Sequence, residues 1–353
     1  MSDHSGFENL LLKDRSMTEI NTIRTQYESY QAMGLELNMK RGQPSDADFN
    51  LSLPLLSAVD SEDFITDSGI DIRNYPGGVA GLPEAREIFC KQLGVQPSEI
   101  FLGNNASLDL MGKVLSWAML RGVHGSERGW VTQSPKLIVT VPGYDRHFKL
   151  ALGLGFELVT VAITPEGPDI AAVEKLVAED AAIKGIFFVP TYSNPTGDSI
   201  SQAVAERLVR MPTAAADFTI FADDAYAVHH LVENPEPQPN LLALAKAAGK
   251  AERVILFGST SKITFASGGI GFMGMSETNM AYWSRLIGLQ TIGPNKVEQW
   301  RHVRFLRAYP GGLAGLMKAH AAIIKPKFDA VQAVLSRELA GSGLANWSKP
   351  KGG

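Results

Sequence analysis

Cysteine is nearly absent from this sequence: among 353 residues there is one, Cys90. A single thiol forms no internal disulfide, and its place in the helix-patterned stretch Glu84–Gln92 predicts a buried, inert side chain and a reducing compartment. Long apolar runs are missing too. No eighteen consecutive apolar residues occur, and Met1–Ser16 mixes acids with bases without an apolar stretch of signal-peptide length, which predicts a cytoplasmic protein with no membrane partner. Neither sign of charge dominates, since 33 basic against 37 acidic residues leave a net charge of -4. So mild and evenly spread a balance argues against a nucleic-acid partner and leaves small molecules as the expected ligands. There is no internal repeat and no low-complexity tract, which excludes solenoids and arrays.

What is present is the balance of a globular enzyme, with 45% hydrophobic and 20% charged residues, at a length that suits two domains or one large one with an appendage. From about Glu99 to Met275 short apolar runs alternate with helix-period segments. The runs are Glu99–Leu102, Leu137–Val141, Phe156–Ile163, Gly185–Val189, Phe218–Ala222, Val254–Phe257 and Ile270–Gly274. Each is apolar almost throughout, as strands buried on both faces of a mostly parallel sheet are. The expected fold is α/β, a seven-stranded and mostly parallel sheet with helices on both faces. The flanks read differently, with a helix at Met17–Ala32 and a long one at Gly312–Leu339. The expected division is residues 1–55 as an N-terminal arm and part of a small domain, 56–310 as the large domain, and 311–353 as the start of a smaller α+β domain built from the two chain ends.

Ligands of open α/β sheets sit beyond the carboxyl ends of the strands, so the residues that follow each run carry the functional reading. After Phe218–Ala222 come Asp223, Asp224, Ala225 and Tyr226; after Gly185–Val189 comes the turn Pro190-Thr191-Tyr192-Ser193-Asn194-Pro195-Thr196-Gly197; after Val254–Phe257 comes Gly258-Ser259-Thr260-Ser261-Lys262. Taken singly these are an ordinary acidic turn, a rigid Asn-Pro turn and a solvated lysine. Jointly they are Asn194, then Asp223 and Tyr226 at 29 and 32 residues further on, then Lys262 at 39 residues after the aspartate, each closing its own buried strand.

That ordered set resembles the fold-type I pyridoxal-phosphate enzymes of the aspartate aminotransferase superfamily. The resemblance spans roughly residues 35–353 and implies pyridoxal 5'-phosphate as cofactor, amino-acid and 2-oxo-acid substrates, and a homodimer. It implies that Lys262 forms the Schiff base and then moves a proton at the substrate α-carbon. Asp223 would hold the pyridine nitrogen protonated, while Tyr226 and Asn194 would donate to the ring oxygen. In Val141-Pro142-Gly143-Tyr144-Asp145-Arg146-His147 the resemblance makes Tyr144 the ring-stacking aromatic and His147 the partner of Asp223. Read from the residues alone, His147 is a core or surface histidine, and the adjacent pair His229 and His230 offers no shared metal-ligand face, so no metal is expected.

Gly103-Asn104-Asn105-Ala106-Ser107 opens an amphipathic helix at Leu108–Leu120, and Asn105, Ala106 and Ser107 are the phosphate candidates, with hydroxyls from Ser259 and Ser261. On its own this segment is a helix cap. Tyr75-Pro76-Gly77-Gly78 resembles the family stretch whose tyrosine reaches the partner subunit's cofactor phosphate, and Gly42-Gln43-Pro44 the turn that approaches the substrate carboxylate. Details such as Glu166-Gly167-Pro168-Asp169 and Gly293-Pro294-Asn295-Lys296-Val297 look closest to the MocR-like subgroup of aspartate aminotransferases.

Two departures stand out. The family's phosphate-pairing arginine, eight residues after the lysine, is Ile270 here, and no arginine occurs between Lys262 and Arg285. The segment Trp347-Ser348-Lys349-Pro350-Lys351-Gly352-Gly353 resembles the start of a small-domain strand that in the family continues to a carboxylate-clamping arginine; the resemblance therefore implies a shortened chain that binds cofactor and turns over slowly. The expected function is amino transfer from aspartate or glutamate to a 2-oxo acid. The alternatives are a carbon–sulfur β-lyase using the same cofactor and a non-catalytic effector-binding protein, the latter disfavoured by the short, weakly basic N-terminal segment. Lys40, Arg41, Arg301 and Arg304 are candidates for a dicarboxylate's second charge, each also readable as a surface base.

Overall fold

The computed structural model describes residues 17–36, 44–75 and 77–353. The chain falls into two compact units, Met1–Pro44 and Ser45–Gly353. The described part of the first is helix α1, Met17–Ala32. Gly42, Lys40 and Arg41 lie outside the described residues.

In the second unit, eight strands alternate with helices. The strands are β1 Ile100–Leu102, β2 Lys136–Val141, β3 Glu157–Thr164, β4 Gly167–Pro168, β5 Ile183–Phe188, β6 Thr219–Asp223, β7 Val254–Ser259 and β8 Gly271–Met275. They form one sheet in the order β1-β8-β7-β6-β5-β2-β3-β4. Strands β7, β6, β5, β2 and β3 are parallel, β8 runs against both its neighbours, and β4 runs against β3. All seven expected runs are strands, within about two residues at either end. The count of seven is corrected to eight by Gly167–Pro168, a two-residue strand too short to carry any periodic pattern.

The uninterrupted apolar runs are explained by two cores, one on each side of the sheet. Consecutive side chains of a strand point to opposite faces. Thus Ile186 and Phe188 pack in one core while Phe187 packs in the other, and Ile220 and Ala222 are divided from Phe221 in the same way. The first core is closed by helices α2 (Asp46–Ser52), α3 (Pro83–Phe89), α6 (Ile170–Glu179), α7 (Gln202–Arg210), α8 (Leu241–Ala247), α10 (Lys296–Ala308) and α11 (Gly312–Leu339). The second is closed by α4 (Ser107–Arg121), α5 (Asp145–Gly153) and α9 (Glu277–Thr291). Each fully buried Phe or Leu of these strands contributes about 1.5–3 kcal/mol. With both faces covered, the strand ends are the open part of the sheet. Cys90 is buried and its thiol pKa is pushed up by that burial, as an inert thiol requires. Among the described residues no helix is long and apolar enough to cross a membrane.

Candidate active site

Strands β2, β5, β6 and β7 are parallel, so the segments after Val141, Phe188, Asp223 and Ser259 emerge along one edge. Asp223 is the last residue of β6 and is 5% exposed. Its Oδ2 lies 2.9 Å from Nε2 of His147, in the first turn of α5. Its Oδ1 is buried and has no hydrogen-bond partner among the described residues. An orphaned carboxylate oxygen in a buried place costs free energy unless a donor meets it, so it points to a ligand donor at this position.

His147 is itself held tightly. Its ring stacks on Phe187 of β5 with centroids 3.9 Å apart and 12° between planes, and Tyr144 meets it edge-on at 5.1 Å. Burial pushes the Tyr144 hydroxyl pKa up, and Lys262, Asp223 and Tyr226 all act on it electrostatically, so these four groups share one site. Lys262 Nζ stands 4.8 Å from the centroid of the Tyr226 ring, on the open side of the turn that follows β7. Asn194 is exposed in its turn after β5, which is closed by Ser193 N–H to Asp198 O at 2.7 Å.

The phosphate candidates gather where β8 meets the start of α4. Gly103 N–H donates to Gly271 O at 2.7 Å and Gly271 N–H to Asn104 O at 2.8 Å. A Cβ on Gly271 would stand 2.5 Å from the Ala106 carbonyl carbon and 2.8 Å from Ser107 N, so glycine alone allows this approach. No side chain caps the first turn of α4, which leaves its N–H groups for an anion. A Cβ on Gly269 would meet Thr260 Oγ1 at 3.1 Å and Asn105 Oδ1 at 3.3 Å, which brings the turn after β7 to the same place. Ser259 is buried, with its hydroxyl 3.4 Å from the Ser261 N–H, and Ser261 Oγ is buried without a partner. Ile270 is fully enclosed, and its N–H donates to Thr260 Oγ1, so no base stands there.

Other candidates lie elsewhere. Tyr75 is 76% exposed, and its backbone carbonyl accepts from Lys296 Nζ at 3.2 Å. Arg304 pairs with Asp63 at 2.8 Å, and Arg301 with Glu298 at 3.1 Å. No group of side chains suited to a metal ion occurs among the described residues. A cavity of about 1420 Å³ lined by Ile88, Val228, Leu231, Leu313 and Met317 includes none of the strand-end residues.

Sequence reasoning missed three features. Phe187, the platform for His147, looks like any core residue of its strand. Asp224 carries a buried carboxylate oxygen with no partner, and burial with the neighbouring Asp223 charge pushes its pKa up to about 7, against the opposing hydrogen bond from Thr191. His229, His302 and His320 surround the Lys262 turn from behind. No local signal marks that arrangement, because 33 to 58 residues separate them from Lys262.

The fold is a doubly wound α/β sheet whose strand edge carries a lysine, a buried aspartate and, at the start of α4, an uncapped helix N-terminus. A family model for aspartate amino-transferases matches residues 12–353, and the chain belongs to that family and is an aminotransferase. It is 38% identical over 332 residues to an aspartate aminotransferase of Corynebacterium glutamicum, an alignment covering 94% of this chain and 76% of that protein. The crystal structure of an aspartate transaminase from Corynebacterium glutamicum superposes with a TM-score of 0.91 at 37% identity, covering 96% of this chain and 81% of the other. An α-aminoadipate aminotransferase of Thermus thermophilus, complexed with N-(5'-phosphopyridoxyl)-L-leucine, shares the fold at a TM-score of 0.68 and 21% identity, covering 89% and 74%.

Proposed function

We propose that this aminotransferase carries pyridoxal 5'-phosphate on Lys262 and passes the amino group of aspartate or glutamate to a 2-oxo acid. The observation that carries the reading is Asp223: one oxygen is fixed by His147 and the other is buried without a partner, in the site that holds Lys262 and Tyr226. The donor set fits the cofactor. Asp223 Oδ1 is the acceptor for a ring N–H, Tyr144 offers a face to stack on, and Tyr226 and Asn194 are hydroxyl and amide donors for the ring oxygen. The backbone N–H groups of Asn105, Ala106 and Ser107 and the hydroxyls of Ser259 and Ser261 would hold the phosphate, in place of the guanidinium that Ile270 cannot supply.

Bound there, the pyridoxal ring would supply an electron sink for the substrate α-carbon. The chain does the rest. His147 orients the Asp223 carboxylate, and Phe187 holds the His147 ring in plane. The Lys262 amine, when free, would accept the substrate α-proton at Nζ and give it up again two atoms away, beyond the substrate nitrogen. The choice of aspartate is supported by the Corynebacterium glutamicum relative, an aspartate aminotransferase. A homodimer completes the reading, in which the exposed Tyr75 would reach the partner's cofactor phosphate.

Lys262→Ala is expected to abolish the visible absorbance that appears when the wild-type chain is mixed with the cofactor. Wild-type holoprotein given aspartate should accumulate pyridoxamine phosphate and oxaloacetate. An unchanged spectrum in the variant contradicts the lysine assignment, and release of ammonia and pyruvate from cysteine conjugates without pyridoxamine phosphate contradicts amino transfer in favour of the lyase.

A further inference from the structure

The turn Thr260–Thr264 that bears Lys262 is held from behind by three histidines belonging to three separate segments. His302 of α10 is fully buried, with Nε2 3.1 Å from Thr260 Oγ1 and 3.0 Å from Thr264 Oγ1. His320 of α11 donates from Nε2 to Ile263 O at 2.9 Å, and its Nδ1 is 3.3 Å from Asp48 Oδ1 on α2. His229, from the loop after β6, reaches Lys262 O with Nε2 at 3.4 Å and stands edge-on to the Tyr226 ring at 5.6 Å.

The proton positions around His302 follow from its partners. Its Nδ1 is 2.9 Å from Glu298 O, which only accepts, so Nδ1 carries the proton. With the proton on Nδ1, Nε2 of the neutral ring can only accept, so the Thr260 hydroxyl, which also accepts the Ile270 N–H at 2.9 Å, donates to it. The Thr264 hydroxyl lies between the same nitrogen and Thr260 O, 3.3 Å away. A neutral ring is required for this pattern, and burial lowers the His302 pKa to about 4.

A turn of this kind closes without such help. Ile263 N–H and Thr264 N–H both donate to Thr260 O at 2.8 Å, which makes one helical turn. The histidines add a second set of bonds, to the hydroxyls of Thr260 and Thr264 and the carbonyls of Lys262 and Ile263. The Lys262 side chain is exposed and takes part in none of these bonds. Keeping His302 and His229 neutral by burial destabilises the folded state in acid, so the extra frame is costly for a turn that the backbone already closes.

We infer that His302 is a positioning residue for Lys262, locking Thr260 and Thr264 so that Nζ moves through side-chain torsions alone between cofactor and substrate α-carbon. His229 and His320 support the same turn through its carbonyls. The inference rests on the assignment of Lys262 as the cofactor-bearing amine.

The test compares wild-type, His302→Ala, His302→Gln, Thr264→Val and Lys262→Ala chains. Two readouts need no turnover: amide hydrogen exchange across residues 260–264 of the cofactor-free protein, and the pH at which the visible band of the cofactor-loaded protein changes. His302→Ala should raise the exchange rate at least about tenfold and displace the band's midpoint by roughly half a pH unit or more. His302→Gln, whose amide oxygen accepts from both hydroxyls, should restore both. In single turnover with aspartate, His302→Ala should slow the spectral change at least about tenfold with little change in the half-saturating concentration. Should His302→Ala fail to fold, Thr264→Val decides, with the same directions at smaller size.

Wild-type exchange and midpoint in His302→Ala, or in Thr264→Val where that variant decides, would overturn the inference. So would failure of His302→Gln to restore either readout. Lys262→Ala separates the two claims: a visible band that persists there overturns the lysine assignment itself, whereas its loss beside wild-type-like His302 variants overturns only the positioning role.

Discussion

Buried titratable residues set how this chain answers to pH. His302 and His229 have pKa values lowered to about 4 and about 3, in both cases chiefly by burial. Each folded value lies below the ordinary 6.5, so the unfolded chain binds a proton that the folded chain refuses, and stability falls as pH drops from 6.5 toward 4. Asp224 acts in the opposite sense. Its folded pKa of about 7 exceeds the ordinary 3.8, so stability falls as pH rises between those values. Each proton is worth about 1.4 kcal/mol per pH unit. His302→Gln should therefore flatten the acid-side loss, and Asp224→Asn should gain on the order of a few kcal/mol over wild type at pH 8. Urea unfolding at pH 5, 6.5 and 8 checks both signs. Also at this scale, Asp223→Ala removes the proposed partner of the ring nitrogen and leaves His147 buried without its carboxylate. A fall in kcat of about a thousandfold or more is expected in steady-state assays, with weaker cofactor retention.

At the scale of elements, the strands were legible because burial on both faces writes an unbroken apolar run into the sequence. Ile183–Phe188 is buried at every position, and so is Val254–Ser259. The residues that close those strands were legible for the same reason, since a polar residue after such a run stands at the open edge. What holds the elements together was not. Lys184 on β5 is buried, and its ammonium lies 3.0 Å from Asp217, which also accepts from Ser126 and Trp130 at 2.7 Å. Burial alone would raise the Asp217 pKa, but those three donors hold it below the ordinary value. Asp217→Ala strands the Lys184 charge in the core and should cost about 3–5 kcal/mol in a chemical-denaturation experiment. Gly271→Ala tests the approach of β8 to the proposed phosphate loop. Its Cβ has no space beside Ala106, so the loop must shift, with a loss of about 1–3 kcal/mol and a weaker grip on the cofactor phosphate.

For the whole molecule, the family follows from the ordered set Asn194, Asp223, Tyr226 and Lys262, and the match over residues 12–353 reaches further toward the N-terminus than the resemblance, which begins near residue 35. The three-histidine frame was illegible because it joins α10, α11 and the loop after β6, whose mutual packing no local pattern encodes. The proposed homodimer belongs to this scale: Tyr75, Leu289 and Ile292 are 76%, 74% and 67% exposed and are candidates for burial against a partner. Sedimentation of the holoprotein should give twice the mass of one chain, and a monomer at micromolar concentration contradicts the pairing. The central claim is that one lysine carries the cofactor. Borohydride reduction of the holoprotein followed by peptide mass spectrometry tests it most directly. The account predicts a reduced phosphopyridoxyl group on the peptide containing Lys262 and on no other, and attachment at another lysine, or none, would contradict it.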